Sequence, residues 1–180
     1  MGDMTQSTQT TESTTSAAGT GSAGQPAVAP VPPGYTSLTP FLVVDGAERA
    51  IDFYTRVFGA TLVSRNDNAD GTVAHAELDF GNGRLQLSDP SPAAGLVAPQ
   101  GGEGRDHSYV LYCADVDAVW KAAVDAGATA FEEPSTFVTG DRFGAVHDPF
   151  GHRWAILTRV EDVSPEEAER RVNEWLASQG

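Results

Sequence analysis

Two ionisable side chains of complementary type stand two residues apart in one short segment of the sequence. His75 and Glu77 lie within Thr72–Phe80, where polar and apolar residues alternate. Residues two apart in a β-strand point to the same face of the sheet, so the two side chains share one face of the predicted strand. They could act as an acid–base pair or supply two ligands to a metal ion. The polar face of a half-buried sheet produces the same alternation, so a structural role stays open.

Other familiar catalytic patterns find no support in the sequence. No spacing of serine, histidine and aspartate suggests a nucleophilic triad, and no glycine-rich loop follows a strand and opens a helix in the manner of a phosphate site. His75 and Glu77 are therefore the candidate catalytic residues that the sequence itself offers.

Composition restricts the classes of partner. The 180 residues carry a formal charge of −14, which disfavours nucleic acid and anionic membranes as partners. The one cysteine, Cys113, permits no internal disulfide and fits a reducing compartment. No apolar run approaches the ~20 residues of a membrane helix. A cytoplasmic protein without nucleic-acid or membrane partners is expected.

The elements that must position His75 and Glu77 occur twice along the chain. A strand, a helix and three further strands are predicted in residues 38–89 and again in residues 106–158. Matching segments recur at offsets of about 70, 68 and 69–70 residues. Three coincidences in the same order at one spacing indicate a duplicated βαβββ unit. The predicted fold class is α+β, with two such modules in tandem.

Local signals place the boundaries of the helices and turns. Asp45, with Glu48 three residues later, predicts a capping box; Asp115 and Ser164 predict the starts of the other two helices. The sequence Asp148–Gly151 suits a type I turn between two strands. A strand is predicted at Ala128–Phe131, and the segment after it is ambiguous.

Three regions follow from these signals. Residues 1–34 have almost no large apolar side chains and are predicted to be a disordered, low-complexity N-terminal tail. Residues 35–160 form one domain containing both modules. Residues 161–180 form a C-terminal helix whose apolar stripe packs on the domain or on a second copy of the chain.

Several short segments of the sequence match the pattern of a known family. They are Asp52-Phe53-Tyr54, Phe58-Gly59-Ala60, His75-Ala76-Glu77-Leu78, Asp115-Val116-Asp117-Ala118, Gly140-Asp141-Arg142-Phe143-Gly144, Asp148-Pro149-Phe150-Gly151-His152-Arg153-Trp154 and Val160-Glu161-Asp162-Val163-Ser164-Pro165-Glu166-Glu167. With these segments, the two βαβββ units resemble the vicinal oxygen chelate superfamily, the glyoxalase, bleomycin-resistance and extradiol-dioxygenase group, and within it the PhnB-like subgroup. The resemblance implies curved mixed sheets that form a cup around a small-molecule site, and a homodimer.

The resemblance also implies where a metal would bind. In the family's metal enzymes each module supplies one ligand from its first strand and one from its last. Of the corresponding residues here, only Gln86 and His107 could act as ligands, and a divalent site usually needs three or more protein groups. The inherited site therefore looks dismantled, and no cofactor is expected. The positions correspond to Leu38 or Thr39, to Gln86, to Ser108 or its neighbour His107, and to Ala155.

A cup without a metal can still bind a ligand between aromatic walls and a few polar groups. Arg142 could pair with an anionic ligand group, or it could form a salt bridge with Asp141 or with an acid of a helix. The side chains predicted to face the cup are Phe41, Gln86, Ser108, Phe137, Arg142, Phe143 and Ala155.

Three functions stay open at this point. The first is metal-independent binding of a small, aromatic or antibiotic-like molecule, as in the superfamily's resistance proteins. The second is a glyoxalase-like lyase or isomerase, or a ring-cleaving dioxygenase, dependent on divalent Ni, Zn, Fe or Mn. The third is a metal-free enzyme with His75 or Glu77 as the base. The missing ligands favour the first.

Overall fold

The computed structural model of the protein describes residues 28–101 and 104–180. Most of the predicted tail, residues 1–27, lies outside the described residues. The part of the tail that is described, residues 28–34, contains neither helix nor strand. Within the two described ranges, no helix is long and apolar enough to cross a bilayer.

The first module builds a four-stranded mixed sheet. Its strands are arranged in the order β1-β4-β3-β2, with β1 parallel to β4 and the other neighbours antiparallel. The helix of the module lies between β1 and β2 in sequence. The elements are β1 (Phe41–Val43), α1 (Ala47–Phe58), β2 (Thr61–Asp67), β3 (Val73–Asp79) and β4 (Arg84–Ser88).

The second module repeats this arrangement. Its strands are arranged in the order β5-β8-β7-β6, again with the first and last strands parallel. The prediction of an α+β fold made of tandem βαβββ modules is confirmed. The elements are β5 (Tyr109–Tyr112), α2 (Val116–Asp125), β6 (Thr129–Thr136), β7 (Asp141–His147), β8 (Arg153–Arg159) and the C-terminal α3 (Pro165–Ser178).

The core takes one face of each sheet. Leu42, Leu78 and Leu87 of the first sheet are fully buried, as are Val146 and Ile156 of the second. Each such side chain stabilises the fold by roughly 1.5–3 kcal/mol when it leaves water. Alternation then directs the intervening residues to the opposite face, which we call the open face of each sheet.

One buried carboxylate connects the two modules. Asp148 Oδ2 accepts hydrogen bonds from the Tyr54 hydroxyl of α1 at 2.6 Å and from Trp154 Nε1 at 2.9 Å. Its Oδ1 accepts from the backbone N–H groups of Phe150 and His152 at 3.0 and 2.8 Å. Asp148 is 4% exposed, so four donors compensate the removal of this carboxylate from water.

His152, in the same turn, gives the fold a pH dependence. Burial lowers the pKa of His152, whose Nε2 lies 3.3 Å from the Val43 carbonyl oxygen. A histidine whose pKa is lower in the folded state contributes stability above its unfolded pKa of about 6.5 and loses it as the pH falls. We expect urea unfolding to show a larger loss of stability between pH 7 and pH 5 in the wild type than in His152→Gln. Equal losses in both proteins would contradict this role.

The local signals predicted two of the three helix starts. Asp115 accepts from the Ala118 N–H at 3.0 Å, and Ser164 accepts from the Glu167 N–H at 3.3 Å, so both predicted caps are confirmed. The predicted cap Asp45 is wrong, because α1 begins after Gly46 without a side-chain cap of its own.

A residue distant in sequence caps α1 instead. Asp89 Oδ1 accepts from the N–H groups of Gly46 and Ala47, each at 3.0 Å, and Asp89 Oδ2 accepts from the Val73 N–H at 2.7 Å. The single carboxylate therefore ties the start of α1 to the start of β3.

Strand β6 is longer than the sequence indicated. The strand predicted at Ala128–Phe131 extends to Thr136 and includes Pro134. Two register shifts against β7, between Ala130 and Glu132 and between Glu132 and Ser135, let the strand pass the proline. Irregular pairing of this kind weakens the alternation from which a strand is predicted.

Among the described glycines, Gly140 is the one at which an added Cβ would come closest to another backbone atom. Its φ is +90°, and a Cβ placed there would lie 2.8 Å from the Glu161 carbonyl oxygen. We expect Gly140→Ala to lower the free energy of unfolding by about 2 kcal/mol or more, because left-handed strain adds to the contact. The control Gly71→Ala has a similar φ of +86° but open space around the Cβ, and should cost about 1 kcal/mol. Equal losses in urea titrations would contradict the contact.

Candidate functional site

The centre of the first open face is a row of side chains across three strands. Phe41 of β1 lies opposite Gln86 of β4, and Gln86 lies opposite Glu77 of β3. Phe41 is 40% exposed. An aromatic ring, an amide and a carboxylate therefore stand side by side on the surface that α1 leaves uncovered.

The second open face has the equivalent row. Val110 of β5 lies opposite Ala155 of β8, and Ala155 lies opposite Ala145 of β7. Val110 and Ala155 each come 69 residues after Phe41 and Gln86, the difference between 110 and 41 and between 155 and 86. The strand register thus shows which positions of the two modules are equivalent.

The strand register also shows where the residues at the predicted metal positions lie. Leu38 and Thr39 precede β1, and the residue opposite Gln86 is Phe41. The residue opposite Ala155 is Val110, while Ser108 and its neighbour His107 precede β5.

The four residues at the centre of the two open faces do not fit a divalent metal. Phe41, Val110 and Ala155 have no donor atom, and Gln86 offers one amide oxygen, whereas a divalent ion needs several nitrogen or oxygen ligands. Across residues 28–101 and 104–180, no three His, Cys, Asp or Glu side chains are grouped so as to hold a metal ion.

The two candidate catalytic residues lie on the first open face with different neighbours. The ring of His75 packs against Phe41, with 6.0 Å between ring centroids. Glu77 forms an ion pair with Arg84 at 3.0 Å, and the two side chains are 16% and 18% exposed. The guanidinium of Arg84 also lies over the ring of Tyr35, 4.5 Å from its centroid.

Sequence reasoning missed the ion pair of Glu77. Arg84 stands two residues before Gln86 on β4, so the strand pattern could have placed it on the same face. Tyr35 lies before the first strand, and no periodic signal could have placed it over Arg84.

A cluster of apolar side chains lies next to this row on the second open face. Phe143 of β7 lies opposite Leu157 of β8, which lies opposite Tyr112 of β5. The ring of Phe137 contacts Phe143 at 6.4 Å and Trp175 of α3 at 5.2 Å, centroid to centroid. Predicted site residues Phe137, Phe143 and Ala155 therefore lie on one side of the second sheet.

Arg142 is directed away from them. Its guanidinium makes two hydrogen bonds to Asp117 of α2, at 2.7 and 2.6 Å, on the face of the sheet that α2 covers. The ion pair lowers the pKa of the Asp117 carboxyl, chiefly through these hydrogen bonds. The prediction that Arg142 shares a surface with Phe143 is wrong, because adjacent strand residues point to opposite faces.

A cleft of about 270 Å³ adjoins both modules. Ser108, another predicted site residue, lines it, and its hydroxyl accepts a hydrogen bond from Arg153 Nη1 at 2.8 Å. The walls are largely aromatic and aliphatic, with few polar groups, as in sites for small organic molecules. Its lining residues include Pro40, Phe80, Arg84, Tyr109, Val110 and Trp154.

Comparison with known proteins agrees with this architecture. Residues 35–156 match the sequence profile of the Glyoxalase/Bleomycin resistance protein/Dioxygenase superfamily. The chain belongs to this superfamily. An uncharacterized protein of Mycobacterium bovis is 35% identical to it over 147 residues, covering 80% of this chain and 94% of the relative.

Solved structures of the superfamily fold align over most of the domain. TioX from Micromonospora sp. ML1 is 27% identical with a TM-score of 0.55, covering 69% of this chain and 98% of TioX. A PhnB protein from Bacillus cereus is 22% identical with a TM-score of 0.55, covering 68% of this chain and 99% of that protein, which is a likeness of fold. In this chain, the centre of the two open faces contains few side chains that could act as metal ligands.

Proposed function

We propose that this superfamily member binds a small, neutral aromatic molecule on its open faces without a metal ion. The observation that supports the proposal most directly is the set of residues at the four central positions. Phe41 and Val110 provide an aromatic and an aliphatic surface, Ala155 leaves space, and Gln86 supplies an amide that both donates and accepts hydrogen bonds.

The exposure of these side chains supports the same proposal. Phe41, Val110 and Tyr112 are 40%, 60% and 61% exposed, although each stands on a regular strand. Apolar groups that stay on the surface beside polar ones are typical of binding sites. A flat ligand on either open face would remove apolar surface from water, and on the first open face it could reach the amide of Gln86.

The charges around the site favour a neutral ligand. Arg84, two residues before Gln86 on β4, is paired with Glu77, and its guanidinium lies over the ring of Tyr35. The chain as a whole carries −14, which opposes the approach of anions. An uncharged aromatic molecule with one hydrogen-bonding group needs no free cation in the site and is not repelled by the negative charge of the chain.

Binding can be tested with 1-N-phenylnaphthylamine, a neutral aromatic probe whose fluorescence rises in apolar surroundings. We expect the fluorescence to saturate at about one probe per open face, and the melting temperature of the protein to rise. A ligand present at 100 times its dissociation constant stabilises the fold by about 2.7 kcal/mol. Fluorescence that rises linearly without saturation would contradict a defined site.

The metal-free part of the proposal has its own measurement. We expect elemental analysis of tag-free protein, grown with added Ni, Zn, Fe and Mn, to find less than about a tenth of an equivalent of any of them, because Gln86 alone cannot hold a divalent ion. Close to one equivalent per chain would contradict the proposal and direct attention to lyase and dioxygenase assays.

A further inference from the structure

A cavity of about 750 Å³ lies where β7 ends and the turn to β8 begins. Its walls include Arg105, Thr129, Phe131, His147 and Pro149. None of the four residues at the centre of the open faces is among its lining residues. The cavity is therefore a separate candidate site.

His147 presents ring nitrogens that a ligand in this cavity can reach. Within residues 28–101 and 104–180, neither nitrogen has a hydrogen-bond partner, and the buried polar side-chain atoms without a partner are Arg84 Nε and His152 Nδ1. Both nitrogens of His147 are therefore accessible to solvent. Thr129 lies opposite His147 in the pairing of β6 with β7, so the two side chains share one face of the sheet. Together they can donate hydrogen bonds to one ligand.

Two guanidinium groups make the surroundings of His147 positive. Arg105 lines the cavity and donates a hydrogen bond to the Gly151 carbonyl oxygen. Burial, and then the charges of Arg105 and Arg153, lower the pKa of His147. The charge of Asp148 acts in the opposite sense, but its effect is the smallest of these. A negative group bound beside His147 would offset the repulsion between the three cations.

The negative charges near the cavity do not cancel this attraction. Asp148 lines the cavity, but its two carboxylate oxygens already accept four hydrogen bonds. Glu132 lies 3.5 Å from Arg153 and its side chain is 45% exposed. The other acids act from a distance, and exposed charges more than about 8 Å apart are largely screened at physiological ionic strength. We therefore expect an anion to bind here, with an affinity that falls as salt is added.

Phe131 supplies an apolar surface beside the charged groups. Its ring packs against the ring of His147, with 5.1 Å between centroids, and the guanidinium of Arg153 lies 5.2 Å from its own centroid. Phe131 is nevertheless 54% exposed. It falls in the first register shift of β6 against β7, and such bulges re-aim side chains next to functional sites. A ligand with both an anionic group and a ring would use this wall.

We propose that this cavity binds a small aromatic carboxylate, whose anionic group accepts hydrogen bonds from protonated His147 and from Thr129 while its ring packs against Phe131. The charge of Arg105 adds to the attraction. The site is separate from the centres of the open faces, so it goes beyond the function proposed above. Because the ligand favours the protonated ring of His147, its affinity rises as the pH falls.

Binding can be tested with sodium benzoate by isothermal titration calorimetry, with benzamide as a neutral probe of similar shape. We expect benzoate to bind saturably and several-fold more tightly as the pH is lowered from 7 to 5.5, and benzamide to bind at least tenfold more weakly than benzoate. In a ¹H NMR titration, the pKa of His147 should be about one unit higher in the benzoate-saturated protein. One unit corresponds to a tenfold preference for the protonated ring.

A matched pair of histidine variants locates the site. His147→Gln keeps a hydrogen-bond donor but cannot gain a charge, so it should bind benzoate at least about fivefold more weakly at pH 5.5 and lose the pH dependence. His75→Gln makes the same substitution at a histidine that does not line the cavity, and should bind as the wild type does. Saturating 1-N-phenylnaphthylamine should not displace benzoate, which separates this site from the open faces.

Several outcomes would overturn the proposal. They are equal affinities for benzamide and benzoate, an affinity that does not rise as the pH falls, equal benzoate binding by wild type and His147→Gln, and a pKa of His147 that benzoate does not change. The pKa measurement uses the wild type, so it decides the matter even if His147→Gln fails to fold. Inorganic phosphate that raised this pKa as much at the same concentration would show an anion site that makes no use of Phe131, which also contradicts the proposal.

Discussion

Replacing Asp148 with alanine is expected to lower the free energy of unfolding by about 3–5 kcal/mol, because each buried donor that loses its acceptor costs about 1–3 kcal/mol. The change leaves the Tyr54 hydroxyl, the Trp154 indole and two backbone N–H groups without their acceptor. Burial, and then the charge of Asp148, raise the pKa of Tyr54, so its hydroxyl remains a donor at neutral pH.

A variant that removes only one of the four donors provides a comparison for this loss of stability, measured by urea unfolding. Tyr54→Phe removes one of the four hydrogen bonds and should cost about 1–2 kcal/mol. Asp52→Ala is the matched control, because it removes a carboxylate paired with Arg56 on an exposed helix face, and should cost at most about 1 kcal/mol. A loss in Asp148→Ala no larger than in Asp52→Ala would show that the buried carboxylate does not hold the modules together.

The internal repeat made most of the fold predictable from the sequence. Each module was too short to identify with certainty, but matching elements at a constant offset supported one another. The helix caps Asp115 and Ser164 were also predictable, because each cap and the backbone N–H group that it accepts from are only a few residues apart in the sequence. The cap of α1 was not, because Asp89 lies 43 residues after Gly46 and only the folded sheet brings them together.

The sequence predicted the candidate site only where alternation along a strand shows which residues point to the same face. Phe41 and Gln86 were placed on one surface, and the structure puts them opposite each other. Val110 was not predicted as a site residue, because its pairing with Ala155 depends on register rather than on composition. Arg142 was placed on the wrong face because adjacent strand residues such as Arg142 and Phe143 point to opposite faces of the sheet.

The largest effect on ligand binding is expected from Val110→Glu. This change puts a carboxylate at the centre of the second open face, where a bound aromatic probe would remove it from water. Burying a charge without a partner costs several kcal/mol, so the dissociation constant for 1-N-phenylnaphthylamine should rise about 100-fold. Phe41→Ala removes one aromatic surface without adding charge, and should raise the constant about tenfold.

Val160→Glu is the matched control for the added charge. Val160 is 52% exposed, close to the 60% of Val110, but it follows the end of β8. Both variants add one negative charge at an exposed valine, so a general effect of net charge on the fold or the probe would appear in both. Weak binding in Val110→Glu alone would place the probe on the open face, whereas equal affinities in the two variants would contradict the site. Because the probe is neutral, long-range repulsion by the protein's net charge cannot produce the difference between them.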